Sequence, residues 1–291
     1  MPDIKLVRTQ LRPTDPRYRL RSKGAHAVRG LLSVFALVFM SSSIIFAMSG
    51  GLSYVSLPAL FAGAIAWSIT KRRKTLQLVA RSDDAVALLN QGHVDEAGRR
   101  FDELATECKS LPINHSLVVY NRGVVHLMTG NVSEAVRHFE ETIGTGWLKA
   151  YRGLYDGLLW HGLASAYLAS GDLARAMSTA ERAHAALSEA KRPTMLLVDT
   201  AILARQHRYG EALALVQTNR DAAESLLMPH HRRALDVMEA FLWSRADAGS
   251  EGAERSAALL RSGWPRGYEL RAMASAWPDM TEFLQRNGVP I

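Results

Sequence analysis

The feature that most constrains this 291-residue chain is a short arrangement repeated in register. A small residue (Ala85, Gly123, Ala164) precedes a glycine (Gly92, Gly130, Gly171), and an alanine follows (Ala97, Ala135, Ala176). Four places on stands a further apolar residue: Phe101, Phe139 or Ala180. A fourth, worn copy reads Thr200, His207, Ala212 and Val216, with His207 where the glycine should be. Each residue type has a physical reason. The small residue lets a paired helix approach closely. The glycine ends the first helix in a left-handed conformation that other side chains resist. The alanine sits at the helix crossing. Asp95, Ser133 and Asp172 fall near the start of the second helix, where capping and negative charge are favourable.

This register resembles the tetratricopeptide repeat over residues 78–220, although turn spacings of 38, 41 and 36 exceed the family's period of about 34. The resemblance implies an all-α fold, a TPR-like α-solenoid of about four to five helix pairs. Part of the extra length is the aromatic-rich insertion Gly144–Gly157, with Trp147, Tyr151 and Tyr155. Residues 221–291 read as a diverged helical repeat with C-terminal capping helices, which solenoid ends require. There, Pro229 opens a helix to Arg245, Asp247–Gly252 turns, and Glu254–Arg261 is the partner. Trp264-Pro265, Trp277-Pro278 and Met280–Arg286 make up the tail.

Ahead of the repeats, Gly30 to Thr70 contains no Asp, Glu, Lys, Arg or His. That length suits two membrane spans better than one, because a single span needs about 20 apolar residues. Ser49-Gly50-Gly51 supplies the turn, so the expectation is a transmembrane hairpin over 31–70, with spans 31–48 and 52–69. Both flanks are basic: residues 1–30 carry a net +6, and Lys71, Arg72, Arg73 and Lys74 open a juxtamembrane linker over 71–77. Positive flanks stay cytoplasmic, which places both termini on the cytoplasmic side of a bacterial inner membrane. A cleaved signal peptide ending at Ala47-Met48-Ser49 is the competing reading. Its 30-residue polar leader is long for a signal, and a second apolar run comes at once.

The net charge of +7 therefore belongs to those flanks, since residues 75–291 sum to −3. A nucleic-acid partner would call for a basic face on the folded part, so none is expected. The only cysteine, Cys108, permits no intrachain disulfide. There is no phosphate-cradling loop, nucleophile elbow or helical zinc-ligand pair, so no cofactor, metal or enzymatic activity is expected. His230-His231 are adjacent and point in different directions on a helix, which makes a poor chelate.

The resemblance also implies where a partner binds, on the inner face of the first helices. The residues placed there are Leu117, Tyr120, Asn121, Val124, Met128, His161, Ser165, Leu168, Leu197, Ala201 and Arg205. Only Asn121 matches the clamp by which some family members hold a terminal carboxylate, and the strip is mostly apolar. It suits a peptide or an amphipathic helix. The functional expectation is a membrane-anchored scaffold or adaptor holding a protein partner, with an integral membrane protein among the candidates, beside the lipid bilayer. The alternatives are a periplasmic chaperone or assembly factor, and a regulatory subunit of a membrane enzyme or transporter.

Overall fold

The computed structural model describes residues 53–145, 156–227, 229–246, 249–261 and 268–290. Among them the regular structure is helical, with no strand. In chain order the α-helices are α1 (Ser53–Gln91), α2 (Val94–Glu107), α3 (Pro112–Met128), α4 (Val132–Gly144), α5 (Asp156–Ala169) and α6 (Leu173–Ala186). There follow α7 (Leu196–Arg205), α8 (Tyr209–Glu224), α9 (Pro229–Arg245), α10 (Gly249–Arg261), α11 (Tyr268–Ala274) and α12 (Pro278–Arg286). A 3-10 helix, Glu189–Met195, lies between α6 and α7 and buries Met195 completely.

The chain divides into two compact units, Met1–Val79 and Ala80–Ile291. Of the first, the structure describes the N-terminal part of α1, where Ile65, Trp67, Ile69 and Leu76 are exposed. This corrects the membrane assignment. The span 31–48 lies outside the described residues, and among the described residues no helix is long and apolar enough to cross a membrane. The helix bounds differ from the expected ones as well. The apolar run ends at Thr70, but the helix that carries it does not end there. It continues as one helix through Lys71, Arg72, Arg73 and Lys74 to Gln91, so the linker expected at 71–77 is helical. The two-span inner-membrane placement with cytoplasmic termini is overturned because no described helix is long and apolar enough to cross a membrane.

The second unit is a succession of antiparallel pairs, α3 with α4, α5 with α6, α7 with α8 and α9 with α10. Each first helix also packs on the next first helix, α3 on α5, α5 on α7 and α7 on α9. The turns close as the glycines predict. Gly92, Gly130 and Gly171 have φ of 87°, 82° and 81°. After each, the next amide reaches back five residues, His93 to Leu88, Asn131 to His126 and Asp172 to Tyr167, at 2.8–3.0 Å. The worn copy makes the same ending without glycine: His207 sits at φ 60°, and the Arg208 amide bonds the Leu203 carbonyl at 3.0 Å.

Ala97, Ala135, Ala176 and Ala212 are all fully buried at the crossings. On α2, Val94, Ala97, Phe101, Leu104 and Ala105 form a single buried stripe at helical spacing. Capping follows the sequence less closely. Asp172 accepts a bond from the Arg175 amide at 2.9 Å, whereas His93 and Asn131 occupy the caps of α2 and α4 without a side-chain bond. The diverged pair begins at Pro229 as expected, but α10 starts at Gly249 rather than Glu254, which shortens the turn. The residues Trp147, Tyr151 and Tyr155 of the insertion lie outside the described residues.

Candidate protein-binding groove

The first helices α3, α5, α7 and α9 line the inner face of the array. The sequence places the groove residues on the first three of them. The structure sorts those residues into three groups. Met128, Leu168 and Ala201 are buried at 8%, 7% and 7% exposure, so they serve the core rather than a ligand. Leu117, Tyr120, Val124 and Leu197 are half-buried and pack against that core. Asn121, His161, Ser165 and Arg205 are the half-buried polar members of the strip.

Most of these polar groups are already engaged. The Tyr120 hydroxyl donates to the Leu158 carbonyl on α5 at 3.4 Å, and its ring lies 5.5 Å from Phe139. Burial pushes its phenol up to about 12. Ser165 donates to the His161 carbonyl one turn earlier on α5, at 2.9 Å. The His161 ring meets His231 of α9 edge-on at 6.1 Å, and burial pulls its imidazole down to about 4. His231 is lowered further by burial, then by His230 and His161. This end of the groove floor is therefore neutral.

The largest departure from the sequence-based expectation is that the face is occupied. Helix α11 packs on α3, α5 and α9, all first helices, and so lies across the inner face. It buries Leu270 completely and Ala274 at 6% exposure. The segment after it is fixed to α7, α8 and α9. Arg205 donates from its two terminal nitrogens to the carbonyls of Ala276 at 3.1 Å and Ser275 at 3.0 Å. Its guanidinium lies 4.8 Å over the Trp277 ring, a cation–π contact. Trp277 and Phe283 meet Phe241 edge-on at 5.3 and 5.5 Å. Asp279 accepts from the Tyr209 hydroxyl at 3.3 Å and faces Arg245 at 3.8 Å. The sequence predicts capping helices here but does not place them in the groove. The signals available are Trp277-Pro278 and the apolar spacing of Met280, Phe283 and Leu284, none of which identifies the surface they cover.

Outside the groove, α3 and α4 bring His126, Glu134 and His138 together, with one ligand-type atom of each within 4.8 Å of the others. Glu134 and His138 are one turn apart on α4, a spacing visible in the sequence that did not enter the metal-ligand expectations above. The two imidazoles stack at 5.2 Å, and His138 is 1% exposed. Burial, then Arg122 and Arg137, bring His138 down to about 4, and burial followed by Arg122 lowers His126. Arg137 already holds Glu134 at 2.7 Å, so the group is an ordered neutral histidine pair beside an ion pair.

No curated protein compared with the chain matches it. A family model described as tetratricopeptide repeat matches residues 157–182, which span α5 and most of α6. Among solved structures, the chain is similar to nearly identical TPR-like repeats described as those of a kinesin light chain from Podosopora anserina. The likeness has 19% identity and a TM-score of 0.45, covering 63% of this chain and 94% of that one.

Proposed function

We propose that this chain is a non-enzymatic protein-binding module, a scaffold or adaptor that takes a helical or extended peptide segment on the inner face of α3, α5, α7 and α9. The observation that carries the reading is the seating of α11: a helix, though one of the chain's own, lies across that face. The matched repeat at 157–182 supports it, because such repeats generally mediate protein–protein contacts. The groove is apolar at its α3–α5 end and carries few charges, which suits an amphipathic helix better than an acidic tail. One candidate nucleophile is out of reach, since Cys108 is fully buried.

A photo-crosslinking residue placed at Val124 on the groove tests this against one placed at Arg137, exposed on α4. A partner crosslinked from Val124, and lost on Leu117→Glu, is the expected result. Crosslinking only from Arg137 would overturn the groove as the binding face.

A further inference from the structure

Arg205 is the one groove residue whose bonding is conspicuously incomplete. Its terminal nitrogens reach two backbone carbonyls of the tail, yet its Nε–H is buried without an acceptor. Among the described residues no carboxylate pairs with it. Asp279, the nearest acid along the tail, is engaged by Tyr209 and Arg245. Burial therefore acts unopposed and lowers Arg205 to about 10. A partly desolvated guanidinium held only by neutral carbonyls has no counter-charge, and away from bulk water a carboxylate would add a Coulombic attraction that those carbonyls do not supply. The tail's own fit at this point is also poor. Ala276, which supplies one of the two carbonyls, is held at φ 49°, where a Cβ is disfavoured.

The occupant thus matches the apolar part of the face through Leu270, Ala274 and Trp277, but it leaves the cation underused and its own turn strained. From this we propose that residues 268–290 are an exchangeable resident ligand of the groove. The external partner is a protein segment presenting a short apolar-faced helix followed by a carboxylate that takes Arg205. The proposal rests on the inner face being the binding groove. As part of the same chain, the resident segment competes intramolecularly. An untethered ligand must therefore exceed it in intrinsic fit, and the carboxylate on Arg205 supplies the difference. The tail sets a threshold that rejects apolar helices lacking the acid.

The test uses the full chain and two synthetic peptides: residues 268–290 in their own sequence, and the same peptide carrying Ser275→Asp. Hydrogen exchange is followed at the tail amides as peptide is added. Exchange across 268–290 of the intact chain is expected to rise while α5 and α6 stay protected. The Asp peptide should act at about tenfold lower concentration, the low end for a new close charge pair at an interface. That advantage should vanish in the Arg205→Gln chain. Unchanged tail exchange at millimolar peptide, or equal potency of the two peptides on the unsubstituted chain, would overturn the proposal. Neither result depends on a variant folding. Crosslinking from Val124 together with a tail that does not exchange would remove this inference and leave the groove intact.

Discussion

Two phenylalanines with no exposed surface, Phe139 on α4 and Phe241 on α9, anchor the two halves of the array in opposite ways. Phe139 is wedged between glycines. A Cβ at Gly123 would lie 2.8 Å from its ring, and one at Gly162 would lie 3.0 Å away. Phe241 is instead surrounded by other rings, Tyr209 at 5.9 Å and the tail's Trp277 and Phe283, with Arg245 over its face at 5.5 Å. The same division separates the buried ionisable groups. The α3–α4 pair buries imidazoles that are neutral, whereas the α8–α9 junction buries a charge and pairs it. There Arg220 binds Glu224 at 2.7 Å and also Asp236 and Glu239. Burial alone would lower Arg220, but the bonds and charges of Asp236 and Glu239 outweigh it and raise the group. One half is closed by small residues at fixed intervals, and the other by large side chains that meet across long stretches of chain.

The comparison is most easily broken at Phe241. Its truncation to alanine is expected to cost about 4 kcal/mol by chemical denaturation, in the range for a buried aromatic in a close-packed core. Because two of its ring partners are in the tail, Phe241→Ala should also release residues 277–284 to hydrogen exchange. If stability falls while the tail stays protected, the aromatic cluster does not hold the tail. Acid is the next test, and it discriminates by chemistry. His138 and His161 both stand at about 4 in the folded chain, below the ordinary value near 6.5. The unfolded chain then binds more protons between those limits. Their contribution is complete above about pH 6.5 and is lost as pH falls toward 4, up to about 3 kcal/mol for the buried His138 and less for the half-buried His161. A stability profile flat from pH 7 to 4 would mean that these imidazoles are solvated. His138→Gln should flatten part of the slope.

At Gly123 the expected loss is smaller. Alanine is the better helix former, by about 1 kcal/mol, so a substitution judged on propensity alone should stabilise α3. The methyl meets three atoms of the Phe139 ring within 3.1 Å, and two of these also lie 3.0 Å from where a Cβ at Gly162 would stand. Overpacking of a trapped ring costs roughly 1–3 kcal/mol, so Gly123→Ala should be net destabilising by about 1 kcal/mol. A stabilised variant would show that the ring can move and that the glycine pattern is not a packing requirement.

The glycine-closed half was largely legible in the sequence for this reason: its contacts lie at helical spacing within one pair or between neighbours, so they leave a period. Gly92, Gly130, Gly171 and the crossing alanines announced their roles. Arg205 fell on the right helix for the same reason. Its partner did not, because Ser275 is 70 residues away and no period connects them. Met128 and Leu168 illustrate a second limit. They lie on the groove helices, but the packing of adjacent first helices covers them, and a single helix's pattern does not contain its neighbour's rotation. The charge-free run failed in another way. Composition registers only the missing charges, whereas the described helix does not end where that run ends and continues through four cations.

His207 gives the smallest effect and the sharpest sign. It ends α7 with the same backward bonds that Gly92, Gly130 and Gly171 make, from a residue that should resist φ 60°. Non-glycine residues pay roughly 1–2 kcal/mol in that region, and glycine would remove most of the strain. Two terms oppose the gain. Glycine loses more backbone entropy on folding, by about 0.5–1 kcal/mol. The His207 imidazole also hydrogen-bonds the Tyr209 hydroxyl at 2.8 Å on an exposed surface, where such a bond contributes little. His207→Gly should therefore stabilise the chain slightly, by about 0.5 kcal/mol, while Gly130→Ala, with open space around its Cβ, should destabilise by about 1 kcal/mol through backbone strain alone. The two midpoints need only be ranked. If His207→Gly falls below the parent chain, the contact to Tyr209 outweighs the backbone. The fourth turn then belongs with the side-chain-closed half rather than with the glycine turns it imitates.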